Sequence, residues 1–226
     1  MKIAASLVAA SVMAGCALAP APLDRSGFVD AASLVPGLLV DMRYHGEENF
    51  VGRPIAGYAA PVCLLTGEAA GKLAKVQEGL APFGLGLKVF DCYRPVRAVA
   101  DFAAWARDPA DQRRKAQHYP AVYKSRLFEL GYIAERSGHS RGSTLDVTLV
   151  DLSTQAEIDM GSGYDLFDTL SWPSDPRVGP QARANRFALQ AAMKAEGFWP
   201  LKEEWWHFTL AGEPYPTTYF DFPVTR

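Results

Sequence analysis

Ser137-Gly138-His139-Ser140-Arg141-Gly142-Ser143-Thr144-Leu145-Asp146-Val147-Thr148-Leu149-Val150 is a polar turn that runs directly into an apolar strand. Leu145–Val150 has the β-branched, apolar character of a buried strand, with Asp146 near its start. An acid in such a run is costly unless it is paired or holds a metal. His139 stands just upstream, and Gly142 between the two allows the sharp turn that would bring both side chains to one point.

A second stretch, Glu203-Glu204-Trp205-Trp206-His207-Phe208, supplies what the first lacks. A divalent cation held by nitrogen and oxygen, with one position left for water, needs three protein ligands and a carboxylate that is not itself a ligand. His139, Asp146 and His207 are the candidate ligands, and Glu204 is placed to act as general base on the water. A lone histidine is more often a satisfied structural residue, so the neighbours carry this reading. Side chains alternate along a strand, which would put Glu204 and His207 on opposite faces. A bulge or a single helical turn is therefore expected there; a flat strand would separate the two.

The segment from Ser137 to Asp146 resembles the S-x-H-x-x-G-x-A-x-D signature of zinc D,D-peptidases, and Glu204-Trp205-Trp206-His207 resembles their E-x-x-H partner. Asp91-Cys92-Tyr93-Arg94-Pro95, the doubled tryptophan, Glu213-Pro214-Tyr215-Pro216 and Tyr219-Phe220-Asp221-Phe222-Pro223 are similar to one branch, the VanX-type D-alanyl-D-alanine dipeptidases of peptidase family M15. The similarity runs from about Leu38 to the C-terminus. It implies the zinc D,D-peptidase (Hedgehog/DD-peptidase-like) fold, one Zn2+ per chain on His139, Asp146 and His207, and Glu204 as base. It also implies that Arg94 steadies the oxyanion, that Tyr44 and Asp165 hold the ammonium of a small D,D-dipeptide, and that Ser137 lies on the substrate side. Thr144 departs from the signature, which has alanine there, and its extra atoms would crowd the turn.

The chain has 226 residues, a net charge of −2, and 49% hydrophobic residues, enough for one domain with an ample core. Nothing in it is basic enough to imply nucleic acid. Met1-Lys2 and the apolar run Ile3–Ala14 have the form of an export signal, too short to span a bilayer. Two readings of its end stand. Val12-Met13-Ala14-Gly15-Cys16 is similar to a lipoprotein box, which would place a lipid on Cys16 and anchor the chain at the outer membrane; Ala17-Leu18-Ala19 suits ordinary cleavage. The resulting expectation is an export segment over 1–19, a tether over 20–33, a single domain over 34–226, and a periplasmic location. Cys63 and Cys92 then form an even pair in an oxidising compartment, either bonded or as two buried thiols.

Periodicity predicts a strand over Leu38–Tyr44 and an amphipathic helix over Thr66–Leu80, capped by Thr66, that buries Ala69, Ala70, Leu73, Val76 and Leu80. A strand over Leu85–Asp91 delivers Arg94 to the start of a helix reaching about Trp105, with Val99, Phe102 and Ala103 inside. Asp108–Gln117 reads as a loop or short helix over the site, and Tyr123–Gly131 as a short helix. His45 and His118 have no ligand-like spacing. Pro180–Glu196 is the clearest helix, with Ala184, Phe187, Ala188, Ala191 and Ala192 on its inner side. The sum is an α+β domain, a mainly antiparallel sheet with packed helices, and the resemblance implies that it hydrolyses D-alanyl-D-alanine in cell-wall metabolism. Its rivals are a D,D-carboxypeptidase acting on peptidoglycan stems and a non-catalytic, lipid-anchored cell-wall binding module.

Overall fold

β5 (Thr144–Asp151) buries every residue but its last, as the apolar run through Asp146 requires, and it forms the middle of the structure. The computed structural model describes residues 24–226. β5 pairs antiparallel with β4 (Leu85–Asp91) on one side and β7 (His207–Leu210) on the other. β6 (Phe198–Pro200) extends the sheet antiparallel beyond β7, and the two-residue β2 (Leu39–Val40) adds to β4 in parallel. The order β2-β4-β5-β7-β6 is thus mainly antiparallel.

One irregularity in this sheet matters for the site. Val89 pairs with Val147, yet Asp91 pairs with Asp146, so β4 carries one extra residue at that point. On a regular strand Asp91 would share a face with Leu87 and Val89; the bulge turns it to the face that carries Asp146.

Two helices cover the other face. α2 (Gly67–Leu80) starts where Thr66 Oγ1 accepts from Ala69 N at 3.3 Å, and it buries the five residues its periodicity predicts. Gln77 Oε1 on α2 accepts from Leu87 N of β4 at 2.8 Å. α5 (Pro180–Ala195) packs beside it with its inner stripe turned from the expected one: Ala188 and Ala192 are half-buried against the core, but Ala184 and Ala191 are exposed. Ala182, Arg186, Leu189 and Met193 are buried, whereas Phe187 is 71% exposed. The reason is Arg186. Its guanidinium donates to the carbonyls of Met160, Trp172 and Leu170 and to Ser162 Oγ, so a charged residue occupies the inner stripe.

α3 (Val96–Arg107) begins just after Pro95 and buries Val99, Phe102 and Ala103. Its Phe102 and Trp105 join Tyr44, Phe50 and Phe167 in an aromatic cluster on the Asp146 side of the sheet. Three expectations need correction here. The strand expected over Leu38–Tyr44 shortens to β2, because the chain turns into a 3-10 helix at Arg43–His45. Tyr123–Gly131 forms a 3-10 turn at Lys124–Arg126 and further turns ending at Gly131, not an α-helix. Residues 108–117, with the four-residue α4 (Lys115–His118), do not line the cleft; Lys124 Nζ binds the carbonyls of Asp108 and Asp111, and Arg114 reaches the carbonyl of Glu47.

The N-terminal boundary also moves. The export segment 1–19, Cys16 and the start of the tether lie outside the described residues. Within the expected tether of 20–33, however, β1 (Phe28–Asp30) pairs antiparallel with β3 (Leu64–Thr66), and α1 (Ala31–Leu34) follows, capped by Asp30. The Phe28 ring lies over Gly142, whose φ is +83°, and a Cβ at Gly142 would overlap that ring. The turn between the two metal-segment residues therefore needs glycine for both its conformation and its close approach.

Cys63 and Cys92 are joined, tying the chain before β3 to the end of β4 across a separation of 29 residues. Replacing both by alanine is expected to lower the unfolding free energy by about 3 kcal/mol on the chain-entropy treatment. Denaturant titration with and without reductant checks this, and an unchanged midpoint contradicts it.

Candidate active site

The pairing register assembles the site. Asp91, Asp146 and His207 lie side by side on β4, β5 and β7, so one transverse row of the sheet carries all three. His139 comes from the 3-10 turn Gly138–Arg141 that precedes β5. One ligand atom from each of His139, Asp146 and His207 falls within a common 4.8 Å. Asp146 Oδ1 lies 3.4 Å from His139 Nε2 and 3.2 Å from His207 Nδ1, and the two nitrogens are 3.3 Å apart.

Donor chemistry at these atoms fits a cation. His139 Nδ1 faces the Cys92 carbonyl at 2.8 Å, and a carbonyl can only accept, so Nδ1 carries the proton and Nε2 presents its lone pair to the centre. Asp146 Oδ1 is buried and has no hydrogen-bond partner among the described residues, which is costly unless something positive sits against it. Burial alone would raise the Asp146 carboxyl, but His139 and His207 beside it hold it well below the usual range. Two imidazole nitrogens and one carboxylate oxygen could hold a divalent cation and leave a position open for water.

Glu204 sits where the sequence argument needs it. β7 begins only at His207, and Glu204-Trp205-Trp206 forms a turn before it, so the expected break in the strand is present. Glu204 Oε2 is 3.4 Å from His207 Nδ1. Withdrawal from solvent pushes the Glu204 carboxyl up to about 7, with His207 opposing and Asp146 adding to the rise. Trp205 and Trp206 beside it are both buried.

The same arrangement is set in a wider similarity. A peptidase M15 family model, described as D-ala-D-ala dipeptidase, matches residues 24–225. A D-alanyl-D-alanine dipeptidase of Streptomyces coelicolor is 46% identical over 198 residues, which are 87% of this chain and 96% of that one. One from Enterococcus faecalis is 38% identical over 89% of this chain and all of its own length. One from Escherichia coli is 33% identical over 83% of this chain and 86% of its own. The chain belongs to the D-ala-D-ala dipeptidase family of metal-dependent peptidases.

In this family member the cleft of about 240 Å³ is lined by His139, Asp146, His207, Glu204, Arg94, Ser137, Tyr44 and Asp165, among others. Arg94 stands at the strand-to-helix junction its sequence context predicts. Its Nε and Nη2 each donate to Asp91 Oδ2 at 2.9 Å, while Nη1 is 3.5 Å from Ser137 Oγ. Its guanidinium also lies over the Tyr44 and Phe102 rings. The fork is fixed on one side and points its remaining donors into the cleft.

Tyr44 and Asp165, distant in sequence, meet at 2.8 Å, with Tyr44 Oη donating to Asp165 Oδ2. Burial, and then Asp146, push the Asp165 carboxyl well above its ordinary value. Asp165 also takes a left-handed backbone, φ 57°, which an aspartate tolerates better than most residues. His118 Nδ1 donates to the Asp165 carbonyl at 3.1 Å, and the His118 carbonyl accepts from Phe167 N, so this histidine holds the loop rather than a metal. His45 Nδ1 likewise meets the Tyr58 carbonyl. Thr144 packs tightly against the turn, its Oγ1 lying where a Cβ at Gly138 would be 2.9 Å away, while its hydroxyl meets Thr209 Oγ1 at 2.9 Å and it does not line the cleft.

Two residues escape the sequence argument. Asp91 is fully buried, accepts from Tyr58 Oη at 2.6 Å and anchors Arg94. Tyr164 donates to Asp146 Oδ2 at 2.9 Å. Asp91 ends a predicted strand, but only the bulge shows which way it faces; Tyr164 carried no signal beyond adjacency to Asp165.

Metal analysis of purified protein checks the ligand set. One divalent cation per chain is expected in the wild type and a small fraction of that in His139→Ala, Asp146→Ala or His207→Ala; undiminished content in any of them contradicts the assignment.

Proposed function

We propose that this chain hydrolyses D-alanyl-D-alanine and similar small D,D-dipeptides to free D-amino acids, with Zn2+ as its cofactor. The observation that carries the reading is the pairing of two features in one cleft: the three-ligand set with a non-ligand carboxylate, and the buried Asp165–Tyr44 pair beside it. A closed structural zinc site takes four protein ligands, so the open set together with Glu204 favours an enzyme over a binding module.

A zinc ion on His139, Asp146 and His207 would polarise the scissile carbonyl and lower the pKa of water to about 7. Glu204 takes the proton from the attacking water and passes it to the departing amine, a role that suits a carboxylate whose proton affinity lies near neutrality. Arg94, held by Asp91, offers its free donors to the developing oxyanion, where one preorganised donor is worth about 3 kcal/mol of barrier. The buried Trp206 ring, which lines the same cleft as Glu204, excludes water around the base. Asp165 and Tyr44 pair with the free ammonium of the substrate, and Ser137 borders the same cleft. A buried acid that must be matched by a cation penalises substrates whose amino end is acylated.

We extend the proposal to location. The signal-like residues 1–19, with Cys16 as an alternative lipid attachment point, support export to the periplasm, and a Cys63–Cys92 bond suits an oxidising compartment. There the enzyme would act on cell-wall fragments.

Free D-Ala-D-Ala is expected to be cleaved at least about 100-fold faster, by kcat/KM, than its N-acetylated form, the margin set by leaving a buried charge unpaired. Faster cleavage of the acetylated compound points instead to a D,D-carboxypeptidase. Glu204→Gln should keep its metal and lose on the order of 10²–10⁴ in kcat; full activity in that variant contradicts the base assignment. Because Glu204 must be ionised to accept a proton, kcat/KM should fall as pH drops through its pKa. A bound cation favours the carboxylate, so that midpoint should lie below the value of about 7 set by burial. A rate that rises toward acid contradicts the assignment.

A further inference from the structure

Tyr164 lies deep in the molecule, its ring stacked on Phe90 at 4.6 Å and edge-on to Trp206 at 5.3 Å. A phenylalanine would fill that space equally well, so packing does not explain the hydroxyl. The hydroxyl instead touches two groups of the cleft. It is 2.9 Å from Asp146 Oδ2 and 3.1 Å from Tyr44 Oη.

A phenol has one proton to give. Tyr44 commits its own to Asp165 Oδ2 at 2.8 Å, which satisfies that carboxylate. Among the described residues Asp146 Oδ2 has no such donor apart from Tyr164; the nearest Arg94 nitrogen is 3.7 Å away, beyond hydrogen-bonding distance. The Tyr164 proton therefore belongs on Asp146 Oδ2. With Oδ2 occupied, Oδ1 is the oxygen turned toward His139 Nε2 and His207 Nδ1, and it is Oδ1 that has no partner.

We infer that Tyr164 is a positioning residue for the metal ligand Asp146, fixing through its hydroxyl which carboxylate oxygen is presented to the cation. This rests on the assignment of His139, Asp146 and His207 as the metal site. Hydrogen bonds to the outer atoms of a ligating carboxylate typically contribute 10- to 100-fold in metal affinity. Through its contact with Tyr44, the same hydroxyl also stands between the carboxylate that grips the cation and the carboxylate that receives the substrate's ammonium.

The test is zinc affinity of the full chain, measured by competition with a chromogenic chelator, in the wild type, Tyr164→Phe and Tyr44→Phe. Tyr164→Phe keeps both ring contacts and removes only the hydroxyl, and should bind zinc about 10- to 100-fold more weakly. Its kcat should recover toward the wild-type value as zinc is raised to saturation. Tyr44→Phe deletes an equally buried hydroxyl one link farther from Asp146, and should leave zinc affinity within about threefold of wild type while raising KM for the dipeptide. Equal zinc affinity in wild type and Tyr164→Phe overturns the inference alone. An equal loss in both variants also overturns it, since that marks a general loosening of the core. A wild-type protein that takes up no cation overturns the metal assignment and this inference with it.

Discussion

Two buried carboxylates face each other across neighbouring strands, and the rest of the site follows from that. Asp91 and Asp146 are direct cross-strand partners on β4 and β5, both almost wholly out of solvent. Like charges directly opposite each other are destabilising even at a surface, and more so in an interior where solvent does not screen them. The arrangement persists only if positive charge is delivered to both. Arg94 delivers it to Asp91 through two donors. On the other side a cation shared by Asp146 Oδ1 and the lone pairs of the two imidazoles beside it would do the same.

Much of the fold can be understood as holding that row in place. The β4 bulge turns Asp91 inward, and the residue after it, Cys92, gives its carbonyl to His139 and its sulfur to Cys63. Tyr93 N then donates to the Leu64 carbonyl, and Thr66 N to the Gly142 carbonyl, so β3 braces both the segment after β4 and the C-terminal end of the turn that carries His139. Phe28, across β3 on β1, lies over Gly142. The turn that carries His139 is thus clamped by elements that contribute no residue to the His139, Asp146 and His207 cluster.

The regular elements were legible in the sequence because their signals are local. Thr66 caps α2 and the three-and-four spacing marks its inner face; Pro95 marks the start of α3; Gly142 marks the turn before β5. The convergence of His139, Asp146 and His207 was legible because an acid in an apolar run is costly without a partner and because the two motifs resemble the paired signatures of zinc D,D-peptidases. What was not legible depends on register or on distant partners. A single extra residue in β4 decides the direction of Asp91. Arg186 turns the inner face of α5 because four acceptors from other loops meet it there, which no periodicity reveals. A three-residue strand in an alanine- and proline-rich approach looks like tether until Phe28 is seen in its aromatic cluster.

The central claim is that two imidazoles and one carboxylate from three separate elements bind a single cation directly. X-ray absorption at the zinc edge of the zinc-loaded protein tests it most directly. The account predicts a first shell of light atoms only, with the outer-shell scattering of two imidazoles and no sulfur. A shell containing sulfur, or one showing a single imidazole or none, would contradict it.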